Sequence, residues 1–383
     1  MIFLTFVLIL LINFNSFKKK LSPFIPDTIK QKIKQNIIGE YNLKIIDDFN
    51  KTNKISNYYN QKILPETQFL KINIQKLSLK KFDLKSSPAK NNKMFVKPET
   101  TTFYLDQIDE KLIVLSSLGK FIFLDLKSLF DDDLDEAIDP IINFDQTFSK
   151  VLDVFVFEQK IFLSFAKKIK EDCYKIGVMQ SKFSQIEMSF NTIFLNDECT
   201  ASAYAGKMIN YIFNNKSGIL LSIDALSKKK DQAQNIKSNL GKILFLNLDN
   251  YSFTQFSKGH RNPQGLYNDN GVIISTEHGP RGGDEINIIK ENKNYGWPIS
   301  SYGEPYNFEK SDKTKYNYLK NHKKNGFEEP VFSFVPSIGI SQLIKIPEGF
   351  NEFWKNNYLI TSLNSGSIYR TKISLLDNKL NFI

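Results

Sequence analysis

Two short stretches hold most of the side chains in this sequence that could bind or transform a ligand. The chain has 48 Lys but only three Arg and three His, and two of each lie within Gly259–Leu266 and Ser275–Glu285: Arg261, Arg281, His260 and His278. An arginine in so lysine-rich a chain indicates a position that needs a planar, forked donor rather than a point charge. Such a fork binds carboxylates through two parallel hydrogen bonds. Arg261 and Arg281 are therefore the first candidates for ligand binding.

The segments around these stretches have the pattern of short β-strands joined by turns. Apolar runs rich in Ile, Leu, Val and Phe, bounded by turn residues, occur in Lys111–Leu126, Val154–Phe165 and Asn270–Thr276. Such runs predict hairpins with strands of about five to seven residues, and they leave little room for helices. We expect an all-β domain over residues 96–383.

One phrase repeats within this domain and indicates its architecture. Gly119–Leu126, Gly241–Leu248 and, more loosely, Gly366–Ile373 resemble one another at intervals of 122 and 125 residues. Each interval is close to three units of the ~40–45 residues that a four-stranded propeller blade needs. The repeat therefore predicts a six-bladed β-propeller. A pair of β-sandwiches would have similar strands but would not be expected to repeat one phrase at this spacing.

Four distinctive sequence blocks follow one another in the chain, namely Gly241–Leu244, Gly259–Gly265, Thr276–Asn287 and Asn294–Pro298. In this order they resemble the glucose/sorbosone dehydrogenase family. The resemblance implies a soluble type of aldose dehydrogenase that uses pyrroloquinoline quinone (PQQ) and is built on a six-bladed propeller. It is dense over about 241–302, extends more weakly over the rest of 96–383, and is absent before residue 96.

The resemblance also implies roles for individual residues at the propeller mouth. It assigns Arg261 and Asn262 to PQQ, with Gln264 adding a neutral hydrogen bond. It gives the backbone carbonyls of Gly279 and Pro280 to a Ca²⁺ ion that polarises the quinone, since Ca²⁺ prefers hard oxygen ligands. Glu285 and Tyr295 match positions that hold a second, structural Ca²⁺ in some members. The alternative is that these residues only hydrogen-bond loops and shape turns.

The sequence departs from the family where the general base should be. Ala203–Met208 is the best match to the family's His-Phe-Gly-Gly-Arg-Leu phrase, and the His position falls on Ala203. Asp224, Asp197 and Glu198 are the carboxylates that could replace that histidine. The family's PQQ-contacting Lys is absent from Phe332–Ser341, and its glutamine has only Gln107 as a candidate. Because a positioned base contributes roughly 10²–10⁴-fold to a rate, these changes predict impaired or altered catalysis.

The sequence leaves two alternative functions for the propeller, one enzymatic and one noncatalytic. The first is a PQQ- and Ca²⁺-dependent aldose sugar dehydrogenase-like protein with altered catalysis. The second is a noncatalytic propeller that binds a carbohydrate or a protein partner at the same mouth and retains only the structural Ca²⁺. Binding of PQQ separates the two.

The N-terminal part of the chain differs from the rest in charge and hydropathy. Residues 1–17 are uncharged and mostly apolar, and 18–95 carry 17 Lys against 6 Asp and Glu. Seventeen helical residues span roughly 25 Å, so 1–17 are predicted to be an uncleaved membrane anchor, with a buried strand or helix as the alternative. Residues 18–95 are a basic linker, either partly an amphipathic surface helix or a solvated tether. Membrane attraction explains its charge better than nucleic acid does.

Two features of the sequence bear on the compartment of the propeller, namely the lysines after residue 17 and the two cysteines. Lys18, Lys19 and Lys20 favour a cytoplasmic propeller by the positive-inside rule, whereas the family resemblance implies a periplasmic one, which we expect. Cys173 and Cys199 could form one disulfide in an oxidising compartment, although their spacing does not require it.

Overall fold

The computed structural model describes residues 102–127, 138–306, 318–350, 352–364, 366–375 and 379–382. These residues belong to one compact unit of the chain, Lys80–Ile383. The predicted anchor (1–17) and basic linker (18–95) lie outside the described residues. Within the described ranges, no helix has both the length and the apolar character needed to cross a membrane.

Five sheets, numbered 1 to 5 in chain order, make up the described fold. Sheet 1 has β1 (Phe103–Ile108), β2 (Lys111–Ser116) and β3 (Phe121–Asp125). Sheet 2 has β4 (Ile141–Phe144), β5 (Lys150–Phe157), β6 (Lys160–Lys170), β7 (Cys173–Lys182) and β8 (Glu187–Leu195). Sheet 3 has β9 (Met208–Phe213), β10 (Lys216–Ile223), β11 (Lys242–Asn247) and β12 (Phe253–Lys258). Sheet 4 has β13 (Pro263–Asp269), β14 (Val272–Glu277), β15 (Asp284–Ile289) and β16 (Phe332–Phe334), and sheet 5 has β17 (Ile340–Lys345), β18 (Tyr358–Ser362), β19 (Ile368–Ser374) and β20 (Lys379–Phe382).

The sheets are mainly antiparallel meanders arranged as propeller blades. Consecutive strands of a sheet pair antiparallel, except that β4 joins the edge of sheet 2 in parallel with β8. One strand of each sheet contacts its counterpart in the next, in the order β1, β5, β9, β13 and β17, so these are the innermost strands. Short 3-10 helices are found at Ser227–Ala233, Lys323–Asn325 and Glu352–Trp354.

Tight turns explain why the chain reverses where it does. Asn270 and Gly271 connect β13 to β14 with φ values of 51° and 93°, and Asn214 and Asn215 connect β9 to β10 with φ values of 50° and 59°. Positive φ at both central residues is the requirement of the two-residue hairpin turn that matches strand twist. Asn and Gly tolerate that conformation best.

Apolar clusters between consecutive sheets hold the blades together. Aliphatic and aromatic side chains on facing sheets interdigitate and are almost completely buried. Four such clusters lie between sheets 1 and 2 (Ile113, Phe121, Leu163, Phe165), 2 and 3 (Leu152, Phe162, Ile219, Leu244), 3 and 4 (Leu220, Ile243, Leu266, Ile273), and 4 and 5 (Ile274, Ile286, Leu343, Ile360). The alternation of side chains along each strand supplies one face to each neighbour.

The predicted all-β propeller is confirmed, but the predicted six blades are wrong, because the described residues form five sheets. Gly119, Gly241 and Gly366 each precede the third strand of a sheet, namely β3, β11 and β19. These strands belong to sheets 1, 3 and 5, so each repeat interval spans two blades rather than three. The blades exceed the expected length because β6 and β7 have 11 and 10 residues and because residues 290–331 connect β15 to β16.

A disulfide links Cys173, at the start of β7, to Cys199, in the loop after β8. The neighbouring Tyr174 and Thr200 also form a backbone bridge, with both N–H···O distances at 2.9 Å. The loop that leads to Ala203 is therefore fixed to sheet 2 both covalently and by hydrogen bonds.

Candidate active site

The candidate site forms where three loops meet at the start of the innermost strands. Ala203 and Tyr204 precede β9, Arg261 and Asn262 precede β13, and residues 278–283 connect β14 to β15. The Gln264 side-chain amide donates to the carbonyl of Tyr204 (2.9 Å). The carbonyl of Asn262 accepts the N–H of His278 (3.0 Å). The structure thus brings the predicted PQQ-binding loop next to the position of the missing base.

A buried carboxylate, Glu277, organises the loop that carries Arg261. One oxygen accepts the backbone N–H groups of Arg261 and Asn262, and the other lies 3.1 Å from Nδ1 of His260. Nε2 of His260 is 2.8 Å from the hydroxyl of Ser257. Serine, histidine and carboxylate in this order resemble a hydrolase triad, but all three side chains are buried. They therefore fix the conformation of the loop that carries Arg261.

The contacts of the Arg261 side chain explain why this position holds arginine rather than lysine. Its guanidinium lies over the ring of Trp297 (5.3 Å to the centroid) and donates from Nη1 to the carbonyl of His278 (2.8 Å). Trp297 is itself fixed by a bond from Nε1 to the carbonyl of Ala225 (2.9 Å). Stacking and fixed donor geometry are properties of a planar guanidinium and not of an ammonium group. Arg281, in contrast, is exposed, and its backbone pairs with Glu304.

Arg261 lines a cavity that is partly open to solvent. Arg261, Gly279, Pro280 and Glu285 are among the residues that line it. Gly279 approaches the other side of its own loop so closely that a Cβ there would lie 2.0 Å from the carbonyl oxygen of Gly283. Its N–H donates to Asp284 (3.0 Å). Among the described residues, no donor engages the carbonyls of Gly279 and Pro280, so both oxygens are available to a ligand.

Glu285 and Tyr295, the predicted structural Ca²⁺ ligands, line the same cavity but differ in availability. The Tyr295 hydroxyl donates to the carbonyl of Ile288 (2.6 Å) and accepts from the N–H of Lys290 (2.8 Å), so only its backbone carbonyl remains for a metal. Burial, and then the charge of Glu277, raise the pKa of Glu285 well above its usual value. Nε2 of His322 lies 3.5 Å from a carboxylate oxygen of Glu285.

His322 is a site residue that sequence reasoning missed. The ring is buried, stacks on Tyr302 (5.3 Å between centroids), and has no hydrogen-bond partner at either nitrogen. Burial lowers its pKa, which keeps the ring neutral. The residues that the structure describes contain no group of three or more His, Cys, Asp or Glu arranged to hold a metal. A metal here would therefore depend on backbone carbonyls.

At the base position, the structure shows a buried methyl group. Ala203 is completely buried in the cluster between sheets 2 and 3, with a φ of 45°. Asp224 is also buried and accepts the Thr200 hydroxyl (2.7 Å) and the N–H of Tyr204 (3.3 Å), and burial raises its pKa. It anchors the loop rather than facing a substrate.

The remaining predicted candidates lie away from the chemistry. Glu198 accepts the Ser238 hydroxyl (2.7 Å) and the N–H of Asn239 (2.6 Å), and Asp197 is exposed. Gln107 is exposed at the far end of β1, where its amide donates to the carbonyl of Asp109 (2.9 Å). The site loops precede their innermost strands, so Gln107 is at the opposite end of its blade and does not reach the cavity.

The fold and site together define a propeller with a polar, arginine-bearing cavity at its mouth. A family model described as Glucose / Sorbosone dehydrogenase matches residues 149–380, which is more than half of the chain. The chain therefore belongs to the glucose/sorbosone dehydrogenase family. This result confirms the resemblance seen in the sequence blocks.

Individual relatives match smaller parts of the chain. The aldose sugar dehydrogenase YliI of Escherichia coli is 27% identical over 196 residues, which are 47% of this chain and 50% of that protein. The quinoprotein glucose dehydrogenase B of Acinetobacter calcoaceticus is 46% identical over 71 residues, 15% of each chain. A crystal structure of glucose dehydrogenase superposes with a TM-score of 0.60 at 22% identity, over 73% of this chain and 85% of that one, and so shares the fold. The matches span about half the length, or less, of these two curated relatives.

Proposed function

We propose that this protein binds PQQ and Ca²⁺ at its propeller mouth and oxidises aldose sugars there, by catalysis that differs from that of its family. One observation carries the proposal. The guanidinium of Arg261 and the unengaged carbonyls of Gly279 and Pro280 line a single cavity. A planar cation donor beside two hard oxygen ligands suits an anionic quinone that is held together with a calcium ion.

The residues present fit PQQ on its binding side. Arg261 would contact a carboxylate or quinone oxygen of PQQ, and its orientation is already set by Trp297 and by Glu277. Asn262 and Gln264 already bond to each other (2.8 Å) and would present their remaining polar atoms to the ligand. When bound, PQQ supplies the two-electron acceptor that the oxidation of an alcohol requires.

For calcium, the carbonyls of Gly279 and Pro280 would hold the ion beside PQQ, and Glu285 with the Tyr295 carbonyl would hold the structural ion. Support comes from the acidic surroundings of Glu285, which is buried near Glu277, Asp284 and Glu329. Glu277, Asp284 and Glu285 are buried and Glu329 is exposed, and these carboxyl groups repel one another when ionised, a repulsion that a divalent cation relieves.

Titration of the full-length protein with PQQ in the presence of Ca²⁺ is expected to show saturable binding by absorbance and by calorimetry. Arg261→Lys is expected to weaken binding by roughly 10-fold, because hydrogen bonds to charged groups contribute about 1.5–3 kcal/mol and Lys loses the second donor. Arg370→Lys is the matched control, since Arg370 also lies over a tryptophan ring, that of Trp354 (5.0 Å). Its affinity for PQQ should be unchanged.

The second candidate function is a noncatalytic propeller that binds a carbohydrate or a protein partner. The observation that favours it is the buried methyl group of Ala203 where the family has its base. If the wild type binds no PQQ while Ca²⁺ still raises its melting temperature, the dehydrogenase proposal is contradicted and this alternative takes its place.

We further propose that the propeller lies on the periplasmic side of a membrane, held there by residues 1–17. The Cys173–Cys199 disulfide supports an oxidising compartment, because reducing compartments keep such thiols free. Both cysteines are expected to resist alkylation in protein taken from intact cells until a reductant is added. The Cys173→Ser/Cys199→Ser pair should lower the free energy of unfolding by about 3.5 kcal/mol, from the 26-residue separation of the two cysteines. Free thiols in the isolated protein would place the propeller in a reducing compartment instead.

A further inference from the structure

We propose that the Lys150 amine is the proton acceptor for sugar oxidation, in place of the histidine that Ala203 has removed. This role rests on the proposed function. Lysine serves as a general base when it is partly desolvated and held without a carboxylate partner. The family's base lies in the loop before β9, and Lys150 reaches the same loop from the neighbouring blade.

The geometry places Lys150 at the mouth. It is the first residue of β5, the innermost strand of sheet 2. Its Nζ lies over the ring of Tyr204, 4.6 Å from the centroid, and Tyr204 directly follows Ala203. The carbonyl of Tyr204 in turn accepts the amide of Gln264, which lies three residues after Arg261. Lys150, Tyr204 and the Arg261 loop are therefore joined across three consecutive sheets.

The burial of Lys150 weakens the hold of its amine on a proton, while the Tyr204 ring beneath Nζ attracts the charged form. Lys150 is partly buried, and in the part of the chain that the structure describes no carboxylate lies within ion-pair distance of Nζ. Burial lowers the pKa of Lys150, and the charge of Asp224 opposes that shift only in part. Asp224 is itself buried with a raised pKa. The other carboxylate on this side, Asp153, is paired with Lys207 (3.0 Å).

The proton and electron balance of the step is complete with a quinone acceptor. The Lys150 amine takes the proton of the C1 hydroxyl of a cyclic aldose. The electron pair of that O–H bond forms the second bond between C1 and oxygen, while the C1 hydrogen leaves with its electron pair to the two-electron quinone acceptor. The sugar becomes a lactone, the acceptor is reduced, and the ammonium group of Lys150 returns its proton to solvent or to the reduced acceptor.

Three substitutions in the full-length protein test this role. Lys150→Met is expected to lower kcat by roughly 10²–10⁴-fold with PQQ affinity unchanged. Lys150→Arg should be equally slow, because a guanidinium does not give up its proton in proteins. The control is Lys168→Met, since Lys168 belongs to the same sheet and also lies over an aromatic ring, that of Tyr174 (5.8 Å), but is exposed. Lys150→Met combined with Ala203→His should regain turnover.

A second measurement does not depend on the cofactor. Acetic anhydride labelling of the PQQ-free protein over a pH series, read by mass spectrometry, is expected to give Lys150 an apparent pKa below the ordinary lysine value of about 10.4. An apparent pKa of Lys150 at or above that ordinary value, or a Lys150→Met variant that turns over at the wild-type rate, would overturn the role of Lys150 while leaving the proposed function intact. A wild type that binds no PQQ overturns the proposed function, and this role falls with it whatever the labelling shows.

Discussion

The Ala203→His variant is expected to oxidise aldoses about 10²-fold faster than the wild type at pH 6, measured as kcat/KM, from the usual contribution of a positioned base. Near this pH an imidazole is partly neutral, since its ordinary pKa is about 6.5. An amine ordinarily holds its proton more strongly than an imidazole, with a pKa of about 10.4, and burial lowers the pKa of Lys150. As the pH rises, Lys150 loses its proton and the two rates should converge.

The matched control for this variant is Ala203→Asn. The φ of 45° at Ala203 lies in the left-handed region, where Asn and His are more common than Ala. Asn is close to His in size but accepts no proton, so it separates the chemistry from the repacking of the buried cluster. Overpacking costs about 1–3 kcal/mol, and melting temperatures would show it in both variants. Equal rates for the His and Asn variants at pH 6 would contradict the prediction.

The Asp269→Ala variant is expected to lose about 3 kcal/mol of unfolding free energy, the low end of the cost of breaking a buried ion pair, because Asp269 is buried while its partner Lys345 is 21% exposed. Asp269 ends β13 and is only 6% exposed. It accepts Nζ of Lys345 (2.8 and 2.9 Å) and the hydroxyl of Tyr358 (2.5 Å). These bonds connect sheet 4 to sheet 5, and their loss leaves an ammonium group and a hydroxyl without acceptors. Chemical denaturation provides the measurement.

Two further variants define what the Asp269 result means. Asp269→Asn keeps an acceptor for Tyr358 but removes the charge, so it should lose less stability than the alanine variant. Glu110→Ala removes one partner of an ion pair whose side chains are 62% and 74% exposed, and such pairs contribute about 0–1 kcal/mol. A loss at Asp269 as small as that at Glu110 would mean that this contact does not hold sheets 4 and 5 together.

The sequence was informative about strands and turns because these depend on local chemistry. Alternating apolar residues and turns such as Asn270–Gly271 predict hairpins without knowledge of the rest of the fold. The number of blades was predicted wrongly because the phrase after Gly119, Gly241 and Gly366 recurs only in alternate sheets. Nothing in the spacing alone distinguishes three short blades from two long ones.

The candidate site likewise contains residues that the sequence could identify and residues that only the folded structure reveals. Arg261 could be singled out because arginine is rare in this chain. Glu277 lies inside the quoted blocks, but its contact with His260 requires the folded loops. Lys150 is one of 48 lysines, so only packing against Tyr204 distinguishes it. His322 comes from the connection between β15 and β16, and no local pattern predicts where it lies.

The apolar layers between sheets 2, 3 and 4 determine how far apart the residues at the propeller mouth lie. Lys150, Ala203 and Arg261 belong to three successive blades, and no single strand ladder fixes the distances among them. Those distances follow from the thickness of the apolar layers that contain Leu152, Phe162 and Ile219. Side-chain volume in these layers therefore sets the spacing of the three loops, and a change of one methylene far from the mouth can alter the shape of the mouth without replacing any residue that lines it.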